Sequence, residues 1–115
     1  MSDFSMERGR PFLDAFPKLG KAIVGALLDM QRGDVADQLA VVGVDRVTGS
    51  ESGAERYICV TESRPLNDVE KNIIGVKHGE CISLDVLPGM VVVDVDNFGR
   101  VRGVEVLDWP SVSNE

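Results

Sequence analysis

Few residues in this chain combine the types and the spacing that catalysis or metal binding requires. The segment from Asp94 to Glu105 comes closest to a calcium loop, because it places Gly99 at position six and Glu105 at position twelve. An EF-hand loop also needs a helix on each side, whereas valine-rich segments typical of strands flank this one. We therefore interpret the segment as a hairpin turn and predict no metal site.

The single histidine, His78, excludes metal sites built on several imidazoles. A nucleophilic triad would need a base beside a serine or cysteine, and residues 76–82 lack the strand-turn-helix setting of a nucleophile elbow. We interpret His78 as a solvated loop residue. Asp94 and Asp96 share one strand face, and we predict that they keep this face in water rather than perform acid–base chemistry.

The two cysteines, Cys59 and Cys81, lie in predicted strands without CxxC spacing or neighbouring histidines. This pattern favours buried thiols over a disulfide or a metal site. The sequence also has no phosphate-binding glycine-rich loop and no basic-aromatic stripe for RNA. We predict a non-enzymatic protein with no catalytic residue, no cofactor and no nucleic-acid partner.

The clearest strand pattern lies in residues 82–108, where three apolar runs are separated by two turn signals. At residues 87–90 a Pro-Gly pair suits a type II turn, which splays the flanking strands and therefore favours a corner over a tight hairpin. Residues 96–99 are typical of a type I turn followed by a left-handed glycine, which predicts a hairpin.

The last predicted strand contains a slip in its alternation. Val101 cannot share a face with Val104 and Val106 in an unbroken strand. Gly103 is the natural place for a bulge that restores the phase. We therefore predict a bulge at Gly103.

Helical spacing appears in residues 18–32, with Gly33 as the predicted C-cap. Asp34 is positioned to cap a brief second helical turn through Leu39. Small residues in the first helix permit close approach, so it could pack on its own sheet or pair with another helix. Both alternatives stay open.

Two further strands are predicted at residues 40–47 and 55–62, forming a second hairpin. Asn67 and Glu70 have the spacing of a capping box and predict a short helix over residues 68–74.

Residues 1–17 contain three of the four phenylalanines, interrupted by glycine and proline. An extended arm that docks on its own domain or on a neighbouring chain would explain them, and a short N-terminal subdomain is the alternative. The predicted partner-binding residues are Phe4, Phe12, Phe16, Leu19, Ile23 and Trp109.

Composition is ordinary for a folded domain, with 43% hydrophobic and 27% charged residues. No apolar run predicts a membrane span and no segment suggests a signal peptide, so we expect a cytoplasmic protein or one within a virion or large assembly, not a secreted one. The net charge of −7 is uneven: residues 1–32 hold five basic and four acidic residues, and the remainder seven basic and 15 acidic. Such a field favours basic partners or simple solubility.

These patterns predict an α+β fold, a small twisted antiparallel sheet of about five strands with an N-terminal helix packed on it and an extended N-terminal arm. We divide the chain into an arm at residues 1–17, a single domain at 18–110 and a tail at 111–115.

The segment at residues 89–108 contains Gly-Met-Val-Val-Val-Asp-Val-Asp, then Gly-Arg-Val, then Gly-Val-Glu-Val-Leu-Asp. It resembles the family called domain of unknown function 2283, and the likeness covers residues 44–62 and 82–108. Residues 1–43 and 63–81 depart from that pattern. The resemblance implies a small twisted antiparallel sheet and brings no activity or catalytic residue with it.

Two hypotheses for function follow. The first is a protein-interaction or assembly module, such as a subunit of a phage virion, which binds a partner or a second copy through residues 1–32. The alternative is an acidic regulator that blocks a basic surface on a partner protein.

Overall fold

The computed structural model describes residues 9–49, 55–72, 75–86 and 89–108, which contain six strands and four helices. The helices are α1 (Phe12–Ala15), α2 (Pro17–Asp29), α3 (Gly33–Leu39) and α4 (Asp68–Lys71). The strands are β1 (Arg10–Pro11), β2 (Gly43–Thr48), β3 (Arg56–Val60), β4 (His78–Val86), β5 (Gly89–Asp96) and β6 (Val101–Val106). They form one antiparallel sheet in the order β1-β2-β3-β6-β5-β4, so β1 and β4 are its edges. The predicted α+β class is confirmed, with six strands in place of about five.

Alternation of β-branched residues gives the sheet one apolar face, here called the inner face, which packs against α1, α2 and α3. The strands contribute to this core Val44, Ile58, Ile82, Leu84, Val91, Val93, Val95, Val101, Val104 and Val106. The helices contribute Phe12, Phe16, Leu19, Ile23, Leu27, Val35, Ala36 and Leu39. The opposite, outer face carries Tyr57, Cys59, Cys81, Asp94 and Gly103, together with the residues that alternate with them.

The prediction of an extended N-terminal arm is wrong for its described residues, because they belong to the domain. Arg10 and Pro11 pair with β2 at the edge of the sheet, which supplies the sixth strand. Phe12 and Phe16 are 0% and 2% exposed, and their ring centroids are 5.7 Å apart. The proline and glycine that break the helical pattern mark the ends of short elements, not an extended segment. The predicted boundary at residue 17 therefore divides one core.

The helix predicted at residues 18–32 ends at Asp29. Its C-cap is Met30, not the predicted Gly33. Gln31 adopts a left-handed conformation with φ of 60°. The Arg32 amide donates to the Leu27 carbonyl (2.8 Å) and the Gln31 amide donates to the Leu28 carbonyl (3.0 Å), which is the Schellman arrangement. Gly33 is instead the first residue of α3.

The turn between α2 and α3 directs Arg32 towards the edge of the sheet. Its guanidinium contacts Asp34 at 3.1 Å and Glu80 on β4 at 2.6 Å. Hydrogen bonds from Arg32 lower the pKa of both carboxyl groups. This arginine ties the helical layer to the edge strand.

The hairpins differ in how well the sequence predicts them. Strands β2 and β3 pair as expected, and Gly99, with φ of 79°, forms the predicted left-handed position between β5 and β6. The predicted corner at residues 87–90 is wrong, because Val86 and Gly89 are direct partners and β4 pairs with β5 along its length. Direct pairing satisfies the backbone hydrogen bonds of both strands and keeps their apolar residues on one face.

The short helix α4 begins as predicted. Asn67 accepts a hydrogen bond from the Glu70 amide (2.8 Å), and the Glu70 carboxylate accepts one from the Asn67 amide (3.0 Å), so both bonds of the capping box are present. The last two residues of the predicted helix, 73 and 74, lie outside the described residues.

Three β-bulges interrupt the strands that the structure describes, each with one extra residue. The register shifts place these extra residues at Asp45 in β2, Gly79 in β4 and Arg102 in β6. The slip predicted in this strand is present, but its extra residue is Arg102 and not the predicted Gly103, since Gly103 pairs with Asp94 while Val101 pairs with Val95. Each bulge changes which residues face outwards along its strand.

None of the helices within the described ranges is long and apolar enough to span a membrane, α2 being the longest at 13 residues.

Candidate functional site

A row of paired residues crosses the outer face from β2 to β4. In order, the row contains Arg46, Cys59, Gly103, Asp94 and Cys81. Neighbouring strands lie about 4.8 Å apart, so the α-carbons of the two cysteines are separated by about 14 Å. A disulfide needs α-carbons within about 7 Å, which excludes one between Cys59 and Cys81 in this fold.

The bulge in β4 brings His78 to the same face as Cys81. Residues three apart in an unbroken strand point to opposite faces. Gly79 is the extra residue between the pairs His78–Asp96 and Glu80–Val95, and it shifts His78 from the inner to the outer face. A Cβ atom on Gly79 would collide with the carbonyl of Asp96, so glycine is required there.

The imidazole of His78 lies between a thiol and a carboxylate. Its Nδ1 atom is 2.9 Å from Asp94 Oδ1, and its Nε2 atom is 3.6 Å from Cys81 Sγ. The histidine side chain is 59% exposed and that of Asp94 27%. A nucleophile, a base and a residue that orients the base therefore stand in sequence on two adjacent strands.

The surroundings of Asp94 favour the tautomer of His78 that carries its proton on Nδ1. Asp94 Oδ2 accepts a hydrogen bond from the Tyr57 hydroxyl at 3.0 Å. Asp94 Oδ1 is buried and makes no regular hydrogen bond within the described part of the chain, so Nδ1 of His78 is its close polar neighbour. A proton on Nδ1 faces the Asp94 carboxylate, although the contact is a close approach of charge and not a regular hydrogen bond, and it leaves Nε2 free to accept the proton of the Cys81 thiol.

Tyr57 supports this carboxylate from the centre of the sheet. Its ring lies over Gly103, where a Cβ atom would come within 2.5 Å of the ring Cζ. Burial, the charge of Asp94 and the hydrogen bond to Asp94 together raise the pKa of Tyr57. The phenol therefore stays protonated to a higher pH than an ordinary tyrosine and remains a donor to Asp94.

The same three residues present the donor types that zinc accepts. One ligand atom from each of His78, Cys81 and Asp94 lies within 4.8 Å of the others. A metal ion binds one nitrogen of an imidazole, whereas here the two nitrogens face two different partners. The observed orientation suits proton transfer along the ring better than coordination.

Several sequence-based interpretations change at this site. The cysteines predicted to be buried are exposed at Cys81 and partly exposed at Cys59, because alternation places both on the outer face. His78 is the first residue of β4, not a loop residue. The sequence does not reveal the bulge at Gly79, because residues 76–80 have no apolar alternation in which a change of phase could be seen.

The carboxylates Asp94 and Asp96 have separate roles. Asp96 is 3% exposed and accepts hydrogen bonds from the amides of Phe98 (2.8 Å) and Arg100 (2.9 Å) and from the Arg100 side chain (2.9 Å). It stabilises the β5–β6 turn. The predicted wet face is therefore wrong for Asp96, while Asp94 belongs to the cluster of His78 and Cys81.

The predicted partner-binding residues are mostly internal. Phe12, Phe16, Leu19 and Ile23 are each at most 2% exposed and fill the core of the domain. Phe4 and Trp109 lie outside the described residues. Docking through the first four would require the N-terminal elements to leave the core.

No protein-family model, curated protein or solved structure matches this chain. The resemblance to the domain of unknown function 2283 family stays a prediction, and the chemistry of the site rests on its own geometry.

Proposed function

We propose that this protein is a thiol-reactive protein in which Cys81 performs thiol–disulfide exchange. One observation carries the proposal: the His78 ring has one nitrogen facing the Cys81 sulfur and the other facing the Asp94 carboxylate. Nε2 takes the thiol proton, and the thiolate is the nucleophile. Asp94 and Tyr57 orient the ring.

The exchange step balances without a further reactant. The Cys81 thiolate attacks one sulfur of a low-molecular-weight disulfide, a new S–S bond forms and the original S–S bond breaks. The leaving thiolate takes the proton from the His78 imidazolium. The products are a mixed disulfide on Cys81 and one free thiol.

The exposure of the site favours this chemistry over acyl transfer. Stabilising an oxyanion is most effective where water is excluded, and Cys81 and His78 are both exposed on an edge strand. Disulfide exchange needs a thiolate and access to it. The distance between Cys59 and Cys81 directs the reaction to an external partner.

The sequence-based hypotheses stay predictions beside this proposal. An assembly module would need a surface other than the four buried residues named above, and an acidic regulator would bind in a salt-dependent way. The two free cysteines support the expectation of a reducing compartment such as the cytoplasm. Placement within a virion stays a prediction.

The test is the alkylation rate of each cysteine in the native protein at pH 7, followed by peptide mass mapping. We expect His78→Asn to lower the rate at Cys81 by about tenfold, because the variant lacks the ring nitrogen that accepts the thiol proton. Asp94→Asn should lower it in the same direction. Cys59 in the same molecules is the internal control, and its rate should stay unchanged.

Lys77→Gln is the matched control variant, since it changes charge next to His78 without touching the ring. Equal rates at Cys81 in the native chain and in His78→Asn would refute the proposal. A retained circular dichroism spectrum in each variant confirms that the comparison is between folded proteins.

A further inference from the structure

A groove on the outer face begins beside Tyr57 and has a volume of about 420 Å³. It is lined by Tyr57, Cys59, Val60, Val76 and Val101, together with three arginines and three carboxylates, and the cluster of His78, Cys81 and Asp94 lies beside it and not in its lining. This volume lies in the range of small-molecule sites. Tyr57 links the groove to the reactive cluster, because its hydroxyl is bonded to Asp94.

Two of the three arginines in the groove form ion pairs with carboxylates there. Arg46 pairs with Asp45 at 3.0 Å. Arg100 pairs with Asp96 at 2.9 Å and lies 3.6 Å from Glu62.

The third arginine, Arg102, forms no ion pair with the other residues that the structure describes. It is exposed and lines the same groove as Tyr57. In a chain of net charge −7, this is a local cationic point beside the site.

The bulge in β6 determines where that cation lies. Arg102 is the extra residue directly before Gly103, and Gly103 is two strands from Cys81 in the row across the sheet. Two strand spacings amount to about 10 Å. The long, flexible side chain of Arg102 can reach part of the way to Cys81. A molecule whose anionic group lies several bonds from its sulfur can therefore contact both Arg102 and Cys81.

We propose that the preferred partners of Cys81 are small disulfides carrying carboxylates, held by Arg102 at the groove beside Tyr57. This inference rests on the thiol reactivity proposed above and adds the substrate class. The disulfide sulfur meets Cys81 while the carboxylate is placed next to the guanidinium. The acidic surface elsewhere disfavours anions, so the selectivity is local.

The experiment compares three probe disulfides on a chain with Cys59→Ser, in which Cys81 is the single thiol. The anionic probe is 5,5′-dithiobis(2-nitrobenzoate), the neutral one 2,2′-dithiodipyridine and the cationic one cystamine. Exchange rates are measured at low and at moderate salt. Arg102→Gln is the test variant, and Lys71→Gln, which removes the same charge from α4, is the matched control.

We expect Arg102→Gln to lower the rate with the anionic probe about threefold to fivefold, as the loss of one exposed charge contact allows. The rate with the neutral probe should not change, and the rate with cystamine should rise. Added salt should reduce the difference between the native and variant chains. Lys71→Gln should leave the order of the three probes intact.

Two results would overturn the inference. In one, Arg102→Gln and Lys71→Gln have the same effect, which would mean that only overall charge matters. In the other, the ratio of the Cys81 rate to the rate of a free thiol peptide is the same for the anionic probe as for the neutral probe. Failure of the thiol proposal gives a different result, in which His78→Asn leaves the rate with the neutral probe unchanged.

Discussion

Tyr57 lies on Gly103 so closely that any side chain at Gly103 would occupy the space of the phenol ring. Tyr57 is on β3 and Gly103 is on the neighbouring strand β6, where Gly103 pairs with Cys59. Because Gly103 has no side chain, the Tyr57 ring can lie across it. The contact lets the hydroxyl extend beyond β6 to reach Asp94 on β5. An aromatic residue over a strand glycine therefore connects the centre of the sheet to the reactive edge.

Gly103→Ala should destabilise the fold, because the added methyl group must displace the Tyr57 ring. We expect a loss of about 1–3 kcal/mol in the free energy of unfolding, measured by urea denaturation. The control is Gly25→Ala on the exposed side of α2, where a Cβ atom would meet nothing within 4 Å. That change should stabilise the protein by up to about 1 kcal/mol. A Gly103→Ala protein as stable as the native one would contradict the packing.

The ionisation of Tyr57 provides a pH test, since it is the only tyrosine in the chain. Burial and Asp94 raise its pKa above the ordinary value of 10. The folded chain holds the phenol proton more tightly than the unfolded chain. This contribution to stability is therefore fully present below about pH 10 and is lost as the pH rises further.

Absorbance at 295 nm should show that Tyr57 is still protonated in the folded protein at a pH where a free tyrosine is half ionised. Asp94→Asn should move the transition to lower pH by removing the carboxylate charge. Asp85→Asn, on the exposed part of β4, is the control and should leave the transition in place. Ionisation of the native protein at the ordinary pH would show that the Tyr57–Asp94 contact is absent.

Phe12→Ala distinguishes a core element from a docking arm. The side chain is completely buried, so its removal should lower the free energy of unfolding by about 3–5 kcal/mol. Leu28→Ala, at an exposed position of α2, should change it by less than about 0.5 kcal/mol. An unchanged free energy of unfolding together with a changed oligomeric mass in solution would contradict the packing of Phe12 in the core. It would support the docking hypothesis instead.

Local signals in the sequence account for much of the sheet. The Asn-Phe-Gly turn separates β5 from β6 as predicted, and Asn67 with Glu70 predicts a capping box that is present. The slip at Gly103 is visible because valines lie on both sides of it. In each case the signal and the structure lie within a few residues of each other.

The rest depends on contacts between distant parts of the chain. Phe12 and Phe16 become core residues because Arg10 and Pro11 pair with Val44 and Gly43, which lie 34 and 32 residues further along the chain. Glu80 breaks the apolar pattern of the inner face because it pairs with Arg32 at the end of the helical layer. That polar residue hides the bulge at Gly79, and with it the shared face of His78 and Cys81.

The bulge at Gly79 shows that a histidine and a cysteine on an edge strand share a face only when the number of residues between them, less any bulged residue, is odd. Without an extra residue, His-x-Cys puts both side chains on one face and His-x-x-Cys puts them on opposite faces. One bulged residue reverses that rule, and here only a glycine fits the space beside the Asp96 carbonyl. The signature of this site in another sequence is therefore His-Gly-x-Cys, and the glycine in it is as diagnostic as the two reactive residues.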